Sequence, residues 1–169
     1  ELRLEEARRN GKVRGVEELG AELDLRRGRG ETVVFTNGCF DLLHAGHVDF
    51  LTRARELGSL LVVGMNSDAS VRALSKGPNR PICGQADRAR VIGAMECVDY
   101  VVLFDEQDVS RVLTTLRPAV HAKGTDYTEE TVPERDIVHA HGGDVRITGD
   151  AKDHSTREII QRILEKNRK

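Results

Sequence analysis

The sequence predicts a single α/β domain built on a doubly wound parallel sheet that is flanked by helices. Three short apolar runs rich in β-branched residues are typical of strands buried on both faces, and they occupy residues 32–35, 60–65 and 98–104. A helical pattern of apolar residues separates the first two, which makes a strand-helix-strand unit. A chain of 169 residues is long enough for one well-buried core and too short for two ordinary domains.

The first thirty residues are strongly charged, and we predict a helical extension at 1–30 ahead of the main domain at 31–169. Apolar residues at Val16, Leu19 and Leu23 predict a helix from about Val16 to Arg26. The arginines that follow lack interleaved aromatic residues, so they are more typical of a solvated helix end than of a nucleic-acid site.

The stretch from Thr36 to His47 follows the first strand and organises the predicted site. The strand is expected to break at Asn37-Gly38, and a helix is expected from Ala45 onward. His44 and His47 then lie in the entry turn of that helix, on one side. The N-terminus of a helix carries unpaired N–H groups and partial positive charge, so it favours phosphate. Two glycines would let a ligand approach the backbone closely: Gly38 and Gly46.

Ten residues in register, Gly38 to His47, carry a wider pattern that includes Phe40 and Asp41. This run resembles the signature of the nucleotidyltransferase superfamily that includes the cytidylyltransferases and the heptose-phosphate adenylyltransferases, whose hallmark is H-x-G-H. The resemblance extends over about residues 30 to 165 and implies a Rossmann-like fold. It also implies that both histidines are catalytic.

Two other interpretations of the histidines remain to be weighed. A bare H-x-x-H is more often a structural pair in a helix entry turn, but the longer pattern favours the catalytic interpretation. A zinc site would need a further ligand, and the remaining histidines fall in no recognised zinc spacing: His121, His139, His141 and His154.

The segment from Ser75 to Pro81 is a basic loop rich in glycine and proline that follows the second strand. In related transferases a lysine at this place in the chain reaches the triphosphate, which makes Lys76 the third catalytic candidate. An ordinary surface loop is the alternative. A helix is predicted at 86–95, and Arg88 near its start matches an arginine that contacts nucleotide phosphate in the family.

Further along, a helix is predicted at 109–116, and Lys123 begins the run K-G-T-D-Y. This run resembles the K-G-G-D-Y of heptose-phosphate adenylyltransferases, whereas glycerol-phosphate cytidylyltransferases carry a G-D-D-W-like run without the lysine. Lys123 is therefore expected to act as a cation for the acceptor's phosphate or for the nucleotide. A salt bridge on a loop is the alternative, and Thr125 departs from the second glycine of the family pattern.

The C-terminal part is predicted to contain a helix at 133–140, a strand at 145–147 and a last helix that Ser155 opens. Ser155 and Glu158 form a capping-box pattern, which would explain the serine as a structural cap. In the superfamily a Ser-Thr pair at this place holds the triphosphate, and Ser155-Thr156 matches it. Arg157 replaces a second threonine that is common in the heptose enzymes.

Taken together, the resemblance implies an adenylyltransferase that moves an adenylyl group from ATP to D-glycero-D-manno-heptose 1-phosphate, giving ADP-heptose and pyrophosphate by direct in-line attack. Mg²⁺ is expected to be carried by the nucleotide with no direct protein ligand, and Asp41 is an indirect partner. The nucleotide-binding set is expected to be Thr36, Asn37, Gly38, Phe40, Asp41, Gly46, Arg88, Lys123, Gly124, Asp126, Ser155 and Thr156.

The composition of the chain disfavours nucleic acid and membranes as partners. A net charge of −2 gives no basic field for nucleic acid, and no apolar run reaches membrane-spanning length. Three cysteines, an odd number, suit a reduced cytoplasmic protein. We therefore expect small-molecule substrates, a cytoplasmic location and a homodimer or higher homo-oligomer. The family domain can be fused to a sugar kinase or stand alone, and we expect this chain to be a stand-alone form or an excised half.

Two rival functions stay open at this point. A cytidylyltransferase acting on glycerol phosphate or another alcohol phosphate is the nearest, and Lys123 together with the run Thr36-Asn37-Gly38-Cys39 disfavours it. A catalytically silent nucleotide-binding module is the rival of another class, and the retained histidines argue against it. The P-loop, G-x-G-x-x-G and Ser-His-Asp patterns are absent from the sequence, which weakens kinase, dehydrogenase and hydrolase interpretations.

Overall fold

The structure, a computed structural model, describes residues 11–74, 79–149 and 156–167 together with Glu5 and Arg8. In these residues the chain forms one six-stranded, fully parallel sheet in the order β1-β4-β3-β2-β5-β6. The predicted fold class is confirmed. The strands are β1 Val13–Arg14, β2 Val33–Gly38, β3 Leu60–Asn66, β4 Tyr100–Phe104, β5 Val120–Lys123 and β6 Asp144–Ile147.

Helices cover both faces of this sheet. Apolar residues of α1, α5 and α6 pack on one face around Phe35, and those of α2 and α4 pack on the other around Val34. Because each central strand is covered on both sides, its sequence is apolar at successive positions rather than at alternate ones. The helices are α1 Val16–Gly28, α2 Ala45–Glu56, α3 Asp68–Ala73, α4 Gln85–Gly93, α5 Ser110–Leu116, α6 Arg135–Ala140 and α7 Thr156–Lys166.

The end of β2 differs from the sequence prediction. The strand does not break at Asn37-Gly38 but continues to Gly38, because Asn37 and Gly38 pair in register with Gly64 and Met65 of β3. Pairing with the neighbouring strand overrides the local turn preference of Asn-Gly. The polar residue Asn37 therefore sits on the sheet itself, at its carboxyl edge.

Two helices bury only part of their apolar residues. In α2, Leu51 and Ala54 are inaccessible, whereas Val48 is 46% exposed because the first turn of the helix lies beyond the strand ends. In α7, Ile159 and Ile160 are half-buried, whereas Ile163 and Leu164 are 52% and 58% exposed. No helix within the described ranges is long and apolar enough to cross a membrane.

The N-terminal residues contribute to the same sheet and core as the rest of the chain. Val13 pairs with Val101 of β4, and Leu19 and Leu23 of α1 are fully buried. The predicted helix here is confirmed, with its end at Gly28. The domain boundary at residue 30 stays a prediction, but α1 packs on the sheet instead of extending away from it.

Gly64, at the centre of β3, gives a direct test of this packing. A Cβ atom there would lie 2.5 Å from Cζ of Phe35, so Gly64→Ala must displace a buried aromatic ring. We expect a loss of about 1–3 kcal/mol in the free energy of unfolding, measured by urea denaturation. Gly28→Ala is the matched control, because a Cβ at Gly28 meets nothing within 4 Å. Equal stability of the two variants would contradict the packing.

The strand order places a switch point between β2 and β5. The chain leaves β2 through α2 to reach β3 on one side, while β5 pairs with β2 on the other side. Connections that depart in opposite directions leave a crevice at the carboxyl ends of the two strands, which is where open α/β sheets bind ligands. The candidate site lies at this edge.

Candidate active site

The two imidazoles of the signature run lie against each other at the start of α2. His44 is the residue that caps the helix, and the N–H of His47 donates to its carbonyl oxygen at 2.9 Å. The ring centroids are 3.9 Å apart with an angle of 32° between the ring planes. Both side chains are half-buried, so each is held by the protein and still reaches solvent. Such a pair can present N–H donors to a phosphate beside the helix N-terminus.

Phe40 turns the chain from β2 into this helix. Its backbone is left-handed with φ of +47°, a conformation that costs energy in residues other than glycine, and its side chain is 6% exposed. The ring lies 5.5 Å from that of His47 and covers Gly38, where a Cβ would come within 3.1 Å of Cε2 of Phe40. The space at Gly38 is thus taken by Phe40, whereas the sequence suggested that a ligand would use it.

Asp41 connects the signature run to the segment after the basic loop. Its buried carboxylate accepts hydrogen bonds from the N–H groups of Ile82 and Cys83, at 2.8–2.9 Å, and from Nε of Arg80. Burial by itself would raise the pKa of Asp41, but the two backbone donors and the Arg80 guanidinium together hold that pKa below its usual value. Through these hydrogen bonds Asp41 holds the signature run against residues 80–83, which is a structural role. Its contact with nucleotide or Mg²⁺ stays a prediction.

Asp41→Asn tests this structural role through the pH dependence of the free energy of unfolding. A carboxylate whose folded pKa is lowered stabilises the protein above the unfolded pKa of about 3.9, and this contribution disappears as the pH falls through the folded value. We expect wild type to be more stable than Asp41→Asn at pH 7 and the difference to shrink below about pH 4. Urea unfolding at a series of pH values measures it. A stability difference between the two proteins that stays constant with pH would contradict a stabilising role for the ionised Asp41 carboxylate.

Arg88, on α4, lies almost completely inside the protein with 2% of its surface exposed. Its guanidinium donates to the carbonyl oxygens of Cys83, Cys39 and Asn66 and to the carboxylate of Asp68, at 2.5–3.0 Å. These four bonds join the signature loop, the end of β3, the start of α3 and the segment before α4. Four of the five N–H groups are used, so phosphate binding by Arg88 stays a prediction while its role in holding the strand ends together is visible.

A second polar group lies across the switch point, on the face of the sheet that carries Phe35. Oδ1 of Asn37 accepts from Nε2 of His121 at 3.1 Å and from Nζ of Lys123 at 3.0 Å. The ammonium also lies 3.2 Å from Oε2 of Glu134, the residue before α6, and 5.2 Å from the ring centre of Tyr127. Asn37 and Lys123, both predicted as ligands, are therefore brought into contact by the fold.

Burial controls the charge of this group. It lowers the pKa of His121 to about 3, with Lys123 and His141 contributing, so the ring is neutral at physiological pH. Burial also lowers the pKa of Lys123, and the opposing effect of Glu134 does not fully offset it. Sequence reasoning missed His121 and Glu134 as site residues. The signal for His121 was a polar residue two positions before Lys123 in a short buried strand, which places both on one face.

The remaining candidates are spread along the same edge. Thr156, the first residue of α7, donates its hydroxyl to the carbonyl oxygen of Leu42 at 3.1 Å, which brings the last helix against the signature loop. That hydroxyl proton is therefore already used, and the phosphate contact expected of Thr156 stays a prediction. Thr36 is buried, Gly46 is half-buried, a Cβ at Gly124 would meet open space, and Asp126 is exposed. Lys76 and Ser155 lie outside the described residues.

Among the residues that the structure describes, no three or more His, Cys, Asp and Glu side chains cluster so as to hold a metal ion. The three cysteines all fall within that part of the chain and form no disulfide.

Comparisons with known proteins bear on the whole chain. The model of the cytidylyltransferase-like family matches residues 35–162. "Bifunctional protein HldE" of Syntrophotalea carbinolica is 51% identical over 157 residues, 93% of this chain and 32% of that protein. The protein of the same name in Geobacter sulfurreducens is 48% identical over 155 residues, 92% of this chain and 31% of that protein. The chain thus spans about a third of the length of these curated relatives.

Two solved structures share the fold. A lipopolysaccharide core biosynthesis protein from Thermoplasma volcanium has a TM-score of 0.60 at 26% identity and covers 72% of this chain and all of its own. Pantothenate synthetase from Thermus thermophilus also has a TM-score of 0.60, at 18% identity, over 88% of this chain and 67% of its own. The second likeness concerns the fold alone.

Proposed function

This chain belongs to the cytidylyltransferase-like family of nucleotidyltransferases, and we propose that it transfers an adenylyl group from ATP to D-glycero-D-manno-heptose 1-phosphate. The products are ADP-heptose and pyrophosphate. The observation that carries the chemistry is the stacked pair His44 and His47 at the start of α2, beside the switch point of the sheet. The HldE relatives, 45–51% identical across about nine tenths of the chain, support the ADP-heptose synthase activity.

The reaction needs no nucleophile from the protein. An oxygen of the acceptor's phosphate attacks the α-phosphorus of ATP in line, a new P–O–P linkage forms, and the bond to the β-phosphate oxygen breaks as pyrophosphate departs. Negative charge increases on the α-phosphate oxygens and on the bridging oxygen in the transition state. The protein therefore has to align the two phosphates and aim donors at that charge.

His44 and His47 supply those donors in the proposal. Their rings are fixed by mutual stacking, by Phe40 and by the helix turn, so little reorganisation is needed when the charge develops. The partial positive charge of the α2 N-terminus acts in the same direction. We assign the triphosphate contact of the last helix to Thr156 and Ser155, and we assign Lys76 to the pyrophosphate.

Mg²⁺ is proposed as a companion of the nucleotide. The carboxylate of Asp41, within the signature run, already accepts hydrogen bonds from two backbone N–H groups and Arg80, which disfavours it as a direct ligand. Bound to the triphosphate, the ion would neutralise the charge of the departing pyrophosphate. The chain's own donors would then act on the α-phosphate.

A cytoplasmic location is part of the proposal, because its substrates are phosphorylated metabolites and the cysteines form no disulfide in the described chain. The homo-oligomer expected from the family is a separate proposal, which sedimentation velocity measures directly.

Pyrophosphate release tests the activity. Wild-type protein is incubated with Mg²⁺ and heptose 1-phosphate, with either ATP or CTP, and His47→Ala serves as the blank. The proposal expects release with ATP and little with CTP. Release only with CTP, or only with another alcohol phosphate, would keep the family and discard the heptose assignment. Saturable nucleotide binding with no release from any pair would favour a silent binding module.

A further inference from the structure

Asn37, His121, Lys123 and Glu134 form a polar group at the carboxyl ends of β2 and β5. Asn37 is the next-to-last residue of β2 and Lys123 is the last residue of β5, so their 3.0 Å hydrogen bond spans the switch point of the sheet. The group lies on the Phe35 face, whereas α2 and its stacked histidines cover the opposite face. A substrate lying across the edge between β2 and β5 would contact the histidines with one end and this group with the other.

The chemistry of the donors fixes the orientation of Asn37. An ammonium has donors only, so the atom of Asn37 that lies 3.0 Å from Nζ of Lys123 must be the carbonyl oxygen. Nε2 of His121 approaches the same oxygen at 3.1 Å and must therefore carry the proton of a neutral ring. With its oxygen bound twice on the β5 side, the planar carboxamide turns its amino group, Nδ2, away from β5. That amino group donates to nothing within the described ranges.

The charge of the group is balanced. The side chains of Lys123 and Glu134 are only 8% and 12% exposed, and their charged atoms are 3.2 Å apart. A phosphate placed against Lys123 would also meet the carboxylate of Glu134, which repels it at short range and low dielectric. A hydroxyl group both donates and accepts, so it can donate to Glu134 while it accepts from Lys123 or from Nδ2 of Asn37. The group is thus complementary to neutral hydroxyls and poorly suited to phosphate.

We propose that Asn37, Lys123 and Glu134 form a subsite for the hydroxyl groups of the acceptor's sugar, and that His121 is the positioning residue that holds Asn37 in it. This inference rests on the proposed function. It gives Lys123 a different partner from the phosphate that the family resemblance implied. Hydroxyls also occur on the ribose of ATP, so the experiment has to separate the two sources.

Calorimetric binding with Glu134→Gln makes that separation. Heptose 1-phosphate is titrated into protein that holds a non-hydrolysable ATP analogue and Mg²⁺, and the analogue and inorganic phosphate are titrated separately. Losing a charged hydrogen-bond acceptor should weaken heptose 1-phosphate binding by about tenfold or more, with the analogue and inorganic phosphate unchanged. Glu129→Gln, an exposed glutamate on the same segment, is the matched control and should behave as wild type.

Each other result has a definite meaning. Weaker binding of the ATP analogue alone would overturn the proposal and assign the subsite to the ribose. Binding of all three ligands at wild-type strength would reduce Lys123 and Glu134 to a structural ion pair. Wild-type protein that binds no heptose 1-phosphate would overturn the proposed acceptor and this subsite together, whereas the first two results would overturn the subsite alone.

His121 is tested by a pair of variants. His121→Phe keeps an aromatic ring beside Phe35, 5.6 Å from its centre, but removes the N–H that holds Asn37, while His121→Gln can replace that donor. We expect His121→Phe to weaken heptose 1-phosphate binding severalfold and His121→Gln to restore much of it. Thermal unfolding checks that both fold. Equal loss in the two variants, or loss that follows stability alone, would contradict the positioning role.

Discussion

Replacing either His44 or His47 with alanine should lower the turnover number by about 10²–10³-fold, because removing one preorganised donor typically costs on the order of 3–4 kcal/mol of transition-state stabilisation. The two rings stack at 3.9 Å, so each variant also frees its partner to move. Steady-state pyrophosphate release with ATP and heptose 1-phosphate gives the turnover number. The Michaelis constant for ATP should change much less, since the donors act mainly on charge that develops in the transition state.

His139→Ala is the matched control for both variants. His139 is exposed near the end of α6, and its Nε2 lies 3.9 Å from Oδ1 of Asp144, too far for a hydrogen bond, so its removal should leave turnover unchanged. Thermal unfolding of all three variants shows whether a loss of activity follows a loss of structure. Near-normal turnover of His44→Ala or His47→Ala in folded protein would contradict the catalytic assignment.

The second large effect concerns stability. Arg88→Met should lower the free energy of unfolding by about 3–5 kcal/mol, because it leaves the buried carbonyl oxygens of Cys39 and Asn66, the part-buried one of Cys83 and the Asp68 carboxylate without their donor. For a domain of this size the melting temperature should fall by roughly 10 °C. Methionine matches much of the aliphatic volume, so the change isolates the guanidinium.

Arg90→Met separates this network from general effects of losing an arginine on α4. Arg90 lies two residues away on the same helix and is exposed, so its replacement should change stability by less than about 0.5 kcal/mol. A stable Arg88→Met protein with weak ATP binding would contradict the structural role and support the phosphate contact that the family resemblance implies. Differential scanning fluorimetry and ATP titration of both variants distinguish the cases.

The fold could be predicted because its signals are local. The β-branched runs of β2, β3 and β4 and the helical spacing around Leu51 and Ala54 are visible in a single window of sequence. The predicted end of β2 was wrong because strand pairing outweighs local turn preference there. Asn37 and Gly38 pair with residues of β3 that lie about 27 positions further along the chain. The family itself was identified from the signature run and is confirmed by the match over residues 35–162.

The site was only partly predictable for a related reason. The spacing of His44 and His47 is set by one helix turn, so the sequence gives their proximity directly. The bonds from Asp41 to Arg80, from Arg88 to Cys39 and from His121 to Asn37 join residues that are 39 to 84 positions apart, and no local pattern encodes them. The sequence around Arg88 is the same whether its guanidinium faces a phosphate or three carbonyl oxygens. Only the folded arrangement of the strand ends decides between those environments.

The shortest strand has a consequence for how the chain reaches its fold. β3 pairs with β2 inside one strand-helix-strand unit, but within the described ranges β1 pairs with β4 alone, and Val13 and its partner Val101 are far apart in the sequence. Closing the long loop between β1 and β4 costs conformational entropy before the contacts between the two strands can form. We therefore expect β1 to join the sheet after its centre has formed, although Val13 precedes the central strands in the chain.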